Sequence, residues 1–477
     1  MAIQSILDIA KSGITTQRLA LEVTSENITN VNTPGYSRQT TIFQTGIETE
    51  ERGFPLGTGV KVAEIQRAYD DFLQTQLKTE GSTSGWSSTT LAAMKRAEQL
   101  FNEFTADGLG KSMQQFFSAW QDLTANPQGQ PERQAVLARA QQVVDQFHRI
   151  NSYLADIKRE ANQSLEGITA DVNDQLTQIA SLNDQIKMIE IRGARANELR
   201  DKRDLLVRQL SEKVGITYME QTDGSLNVSL TLGQPLVIGN KVAQLSLTPD
   251  AANNGFYKIM STSPGGNTAV DISTIAGGPA NTQGSMGGTL QVRDSLVNGF
   301  LSDLDELAFS LATEVNGLHS TGFGLNSSTG LNFFTAPATM AGYSGLGGID
   351  LAITKTADIA AASTDPAIGG TGNNLNARAI SSIYDKVLAT SGGNMTMEGF
   401  YNSLVGKVGV AVQDSQRSSD LSQGIIKQLD NLRESQSGVS LDEELANLVK
   451  YQKAYEGAAK LVNVGTEMLD TILGLIR

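Results

Sequence analysis

NITNVNTPGYSR, residues 27–38, ends a long apolar-striped helical pattern that begins almost at the first residue. Asn27, Asn30 and Thr33 lead into Pro34-Gly35, a pair suited to a tight turn with Gly35 free to take positive φ. Tyr36 can bury its ring while its hydroxyl stays paired. Arg38 can bridge carboxylates or backbone carbonyls. Locally this is a C-cap and a turn. Such a corner also fixes the direction in which a helix leaves its bundle, so Tyr36→Ala or Pro34→Ala should damage assembly more than solubility.

Outward from the corner, the first 31 residues place Ile3, Leu7, Ala10, Ile14, Gln17, Leu21, Thr24, Ile28 and Val31 at alternating 4-3 spacing. That is a heptad-like seam with two polar exceptions, as in a helix packed lengthwise on another. The C-terminal segment repeats it: Leu441, Leu445, Leu448, Gln452, Tyr455, Ala459, Val462, Thr466, Leu469, Leu473 and Ile476. Ser440 and Glu443 form an S-x-x-E capping box before it. The natural partner of one stripe is the other. Because ordering so many residues opposes the burial of so narrow a seam, the pair should order fully only when neighbouring copies cover its other faces.

Between these ends the pattern is nested. Amphipathic segments fall at 91–104 and 112–123, and Pro131 opens a very long helical pattern through Val136, Val143, Phe147, Leu154, Leu176 and Ile189 to Gly193. After Gly215 the period changes to strict alternation (Leu226, Val228, Leu230, Leu232), a strand reading that extends to about Met286. Residues 321–376 are rich in Gly, Ser, Thr and Ala. The expected fold class is α+β multidomain. Long N- and C-terminal helices (1–38 and 439–477) pair as a coiled-coil-like core. A helical rod-like domain takes 39–215, 287–321 and 377–438. A β-rich outer domain spans 216–286, and a small irregular Gly/Ser/Thr-rich insertion or small β element spans 322–376.

Composition excludes several classes. The net charge of −14 argues against nucleic-acid or anionic-membrane partners. The absence of cysteine rules out thiol catalysis, Cys-ligated zinc and disulfides. No basic leader precedes an apolar run, and no apolar run approaches the ~18 residues of a membrane span. His148 and His319 lack metal-site or triad spacing and read as packing or helix-end residues. ADGLGKS (106–112) ends like a phosphate-binding loop, but Thr105 stands where the pattern needs glycine. No catalytic residue, cofactor or metal is expected.

The motif N-x-x-N-x-x-TPGY-x-R resembles that of the bacterial flagellar axial proteins of rod, hook and junction. The resemblance extends through GTGVKVAEIQRAYDDFLQTQL, GKSMQQFFSAWQDLTANP, LNDQI with NELRDKRDLLVRQLSEKVGI, GGTLQVRDS, LDELAFSLATEVNGLHSTGF and SGVSLDEELANLVKYQKAYEGAAKLVNVGTEMLDTIL. It is strongest to the junction members and weak over 216–290 and 322–376. It implies a non-enzymatic subunit of the hook–filament junction, adapting hook to filament, with the terminal helices as its subunit interface. The implied partners are further copies of itself, hook protein, the second junction protein, a chaperone on the C-terminal segment, and the flagellar type III export apparatus. The implied location is extracellular, without a cleaved signal peptide. Another axial subunit, hook or distal rod protein, is the alternative, disfavoured by the long helices at 131–213 and the SGVSLDEELANL block. An exported wall-acting enzyme would need a convergent acid or metal site.

Overall fold

The computed structural model describes residues 2–51, 54–101, 108–231, 233–273, 284–336 and 338–475. Helix α1 (Ala2–Thr29) leads into a β-ribbon that the helical reading of 39–215 did not anticipate. Strand β1 (Gln39–Thr45) pairs antiparallel with β4 (Val60–Arg67), and β2 (Glu48–Glu51) pairs with β3 (Phe54–Gly57) between them. QTTIFQT and VKVAEIQR are β-branched and alternating, so the signal was present but short. Asp70 then caps α2 (Asp71–Leu100), accepting from the Leu73 N–H at 3.0 Å.

The body is built on α3 (Leu109–Ala125), α4 (Gln130–Glu190) and α5 (Asn197–Lys213). With Pro131 in its first turn, α4 runs 61 residues, which is roughly 90 Å of helix. Strands β5 (Ile216–Glu220), β6 (Leu226–Leu230), β7 (Pro235–Ile238) and β8 (Lys241–Val242) form a four-stranded meander. A second sheet joins β9 (Leu245–Pro249), β10 (Tyr257–Thr262) and β11 (Ala269–Asp271). The strand reading overshoots: Gly284–Gln291, including Met286, is helix α6. A π-turn at Val292–Leu296 passes into α7 (Val297–His319). Helices α8 (Leu375–Ser381), α9 (Met397–Ser437) and α10 (Leu441–Leu475) complete the chain.

Two apolar cores lie along α4. The first joins its N-terminal part (Val136 to Ile157) to α3, α7 and the start of α9. The Gly-rich segment contributes to this same core, since Phe333 and Phe334 pack on Phe116 with ring centroids 5.7 and 5.8 Å away. The second core begins at Leu165 and takes in α5, α6 and the inward faces of both sheets.

Candidate subunit interface

Helices α1 and α10 run antiparallel, with Asn27 opposite Glu444 at one end and Leu7 opposite Gly465 at the other. Close approach depends on small residues: a Cβ on Gly13 would lie 3.2 Å from the Ala458 Cβ, and one on Gly465 would lie 2.7 Å from Leu7 Cδ2. On α1 the buried face carries Ala10, Thr16, Ala20, Val23, Thr24 and Asn27. Part of this face packs on the ribbon, where Thr16 donates to the Val60 carbonyl (3.1 Å). Leu7, Ile14, Leu21, Ile28 and Val31 are half-buried.

On α10 the expected stripe is displaced from the actual seam. The least exposed residues along α10 include Glu444, Leu448, Tyr451, Ala458, Ala459, Val462 and Gly465; Glu444, Ala458 and Gly465 meet α1, and Tyr451 packs edge-on against Phe43 of β1. Leu448, Ala459 and Val462 belong to both sets. By contrast, Leu441, Leu445, Tyr455, Leu469 and Leu473 remain exposed. The side chain of Ile3 and all of Ile476 lie outside the described residues. Large apolar side chains thus stay exposed along the 441/445 column of α10, while α1 shows solvent a polar face of Asp8, Lys11, Arg18 and Glu22.

The corner residues form one hydrogen-bonded hub. Thr33-Pro34-Gly35-Tyr36 closes a turn, with the Tyr36 N–H 3.2 Å from the Thr33 carbonyl and Gly35 at φ +81°. That geometry, with proline second and glycine third, is a type II turn. Asn30 accepts from the Thr33 hydroxyl (3.0 Å) and donates to the Glu26 carbonyl (3.1 Å), capping the helix end. Asn27, 1% exposed, fills all four of its hydrogen-bonding positions. Its Oδ1 accepts from the Gln39 N–H (2.9 Å) and the Tyr36 hydroxyl (2.8 Å). Its Nδ2 donates to the Gln39 carbonyl (2.8 Å) and to Glu444 Oε2 (3.2 Å). Burial, followed by the nearby Glu26 charge, pushes the Tyr36 phenol above its ordinary range, so it serves as a neutral donor.

Arg38 joins the two chain ends. Its Nε donates to Glu444 Oε1 (2.7 Å), its Nη1 to Glu443 Oε2 (2.6 Å), and its backbone N–H to the Ser437 carbonyl (2.9 Å). The first-turn acids of α10 therefore do more than favour the helix dipole: they hold the corner arginine. Glu443 faces Arg38 where the capping-box reading would turn it back on its own helix.

The hub continues into the body. Asp201 accepts from the Ser37 N–H (2.9 Å) and from Arg67 Nη1 (2.7 Å), and Arg67 also reaches Asp204 at 2.7 Å. Asn197 donates to the Gln39 side chain (3.1 Å) and to the Ile65 carbonyl (2.9 Å). Gln39, Arg67, Asn197 and Asp201 were not singled out from sequence. Their signal is an unusual density of paired charge in NELRDKRD, which reads equally well as a solvated helix face. Arg38 needing carboxylates could have pointed to Glu443 and Glu444.

The other sequence candidates have packing partners. His148 meets the Ile349 carbonyl (2.9 Å). His319, the last residue of α7, lies against the Leu331 carbonyl (2.7 Å) and accepts from the Ala360 N–H (3.0 Å). Burial pulls its imidazole down to about 4. Residues 106 and 107 of the glycine loop lie outside the described residues, and the remainder leads into α3. No group of three or more His, Asp or Glu side chains is placed to hold a metal among the described residues.

Comparison with known proteins agrees with this arrangement. Residues 94–334 match the model of the flagellar hook-associated protein FlgK helical domain. Residues 433–475 match the C-terminal model of flagellar basal body rod FlgEFG proteins, and residues 7–36 a flagella basal body rod protein model. Flagellar hook-associated protein 1 of Salmonella typhimurium is 28% identical, the alignment covering 99% of this chain and all of that protein. Its Bacillus subtilis counterpart is 27% identical over 98% of this chain and 97% of its own length. Among solved structures, the flagellar hook junction protein FlgK of Burkholderia pseudomallei shares the fold with a TM-score of 0.65 at 18% identity. That match covers 76% of this chain and 99% of the other.

Proposed function

Because the chain belongs to the flagellar hook-associated protein FlgK family, and so is a structural subunit of the flagellar hook–filament junction, we propose that its α1–α10 pair is the surface of assembly. One observation carries the proposal: α10 keeps a column of large apolar side chains exposed while its base is locked by amide to α1 and by charge to the corner. A monomer gains nothing from so much uncovered apolar surface on a long helix, whereas a stacked subunit covers it with neighbours. In this reading the terminal segments 1–38 and 439–477 form the inner, assembling unit. The ribbon and helices of 39–215, with 287–321 and 377–438, surround it; 216–286 forms the outer part, and 322–376 packs into the first core.

The interface positions on α1 are Ile3, Leu7, Ile14, Leu21, Ile28 and Val31. Those on α10 are Leu441, Leu445, Leu448, Tyr455, Val462, Leu469, Leu473 and Ile476. The hub around Asn27, Tyr36 and Arg38 sets the angle at which the unit meets the body. The role is mechanical, with no catalytic step. Immediate partners are further copies, hook protein on one side and the second junction protein on the other. Before export through the flagellar type III apparatus to the cell exterior, a chaperone shields the exposed α10 stripe.

Deleting residues 441–477 tests the proposal. The body should remain folded and soluble, since both cores are built without α10, while junction assembly and swimming motility are lost. Normal assembly by the truncated chain would sink the proposal.

A further inference from the structure

The exposed apolar residues of α10 do not form one stripe. At about 100° per residue, the α1-facing seam through Glu444, Tyr451, Ala458 and Val462 defines one side of the helix. Leu441, Leu445 and Val449, 46%, 53% and 55% exposed, lie on one flank of that seam in the N-terminal half. Leu461, Val464 and Met468, 45%, 46% and 46% exposed, lie in the C-terminal half. These occupy the opposite flank, the two sets standing about 110° to either side of the seam. Charge completes the pattern. Beyond Val449 the first flank turns acidic (Glu456, Glu467, Asp470), and before Leu461 the second carries Lys450.

Resting on the assembly reading above, we infer that α10 helices of neighbouring copies pack parallel and staggered, the N-terminal flank of one against the C-terminal flank of the next. The occupant of each flank is a second copy, because each flank's complement exists on the other side of the same helix. Packing in register would set Leu461, Val464 and Met468 against Glu456, Glu467 and Asp470, and would lay the Leu445 column on Lys450. Both outcomes desolvate charge against hydrocarbon. Sliding one helix by 19 to 20 residues instead brings Leu441 to Leu461, Leu445 to Val464 and Val449 to Met468. That slide is an axial offset of about 30 Å. A two-fold pairing of like flanks would cover one set and strand the other. The staggered contact is heterologous, covers both, and propagates around a tube.

The chain has no cysteine, so introduced thiols are the only ones present. Flagella are isolated from cells producing the full chain as Leu445→Cys/Val464→Cys or Val449→Cys/Met468→Cys, mildly oxidised and resolved without reductant. Each double variant should give a ladder of dimers, trimers and higher multiples, while each single variant stays monomeric, since disulfides demand Cα atoms within about 7 Å. Dimers from Leu445→Cys alone would indicate two-fold packing and overturn the inference. So would incorporated double variants without a ladder. The unmodified chain supplies a second measurement: an axial offset between adjacent α10 helices far from 30 Å, in a reconstruction of the junction, also overturns it. Absence of the wild-type chain from isolated flagella would instead refute the assembly reading itself.

Discussion

At the scale of single residues, Asn27 is the most heavily used side chain of the corner. Its amide reproduces a strand-like pairing with both backbone groups of Gln39 while also holding Tyr36 and Glu444. Asn27→Ala leaves the Gln39 backbone and one Glu444 oxygen buried without that partner. The expected cost is about 3 kcal/mol, against about 1 kcal/mol for Tyr36→Phe, which removes one bond and little packing. Urea unfolding of the two variants should rank them in that order. A second residue-scale effect sits one turn away. A hydrogen bond with Glu198, followed by burial and the repulsion between the two carboxyls, holds Glu26 up at about 7 from its ordinary 4.5. A carboxyl raised in the folded state favours folding most below pH 4.5, and the benefit is lost as pH rises through 7. Glu26→Gln should therefore lose less thermal stability than the parent chain between pH 5 and pH 8. Equal losses in the two proteins would show that the carboxyl pair is not coupled to folding. The amide, turn and arginine of the motif were readable in sequence as devices of a corner. Their partners were not, because Asp201 and Arg67 come together only through contacts far apart in the chain.

At the scale of elements, the terminal helices were legible from their 4-3 spacing, but the face each turns to the other was not. A helix with apolar residues on two adjacent columns offers two seams, and periodicity cannot choose between them. The choice falls to the small residues Gly13, Ala458 and Gly465, which let backbones approach, and to the ionic lock at Glu444, none of which is a large apolar side chain. Gly13→Leu should consequently damage the pair although it adds apolar surface and helix propensity. With only 3.2 Å between the new Cβ and that of Ala458, the helices must separate. Hydrogen exchange along α1 and α10 should accelerate, while the core around Phe116 and Trp120 keeps its protection. Unchanged exchange in α10 would mean that the antiparallel contact contributes little to its order. The β1–β4 ribbon escaped notice for a different reason, being two short pairings inside a segment dominated by helical signals.

At the scale of the whole molecule, nesting of terminal helices around a helical layer and a β-rich middle was legible, because long periods survive single-residue exceptions. The fate of the Gly-rich segment was not. Its richness in Gly, Ser, Thr and Ala suggests a separate insertion, yet Phe333 and Phe334, with Tyr343, Ile349, Ile353 and Ile359, carry it into the first core beside Phe116 and Trp120. Composition averages over a segment, whereas anchoring depends on where a few aromatic and aliphatic side chains fall. The two cores also make a mechanical statement about α4, which is gripped at its N-terminal end by helices and beyond Leu165 by α5, α6 and the sheets. Between Ile157 and Leu165 the same helix passes from one core to the other. Damage to one core should then spread along α4 only as far as its own contacts. Leu236→Ala, at a fully buried position of β7, should cost about 3 kcal/mol. Protection against exchange should fall across β5–β11 and in α4 beyond Leu165, while the amides around Val143, Phe147 and Phe333 hold theirs. Uniform loss along all of α4 would instead mean that the body unfolds as one cooperative unit, and that the long helix transmits local weakness from the outer sheets toward the first core.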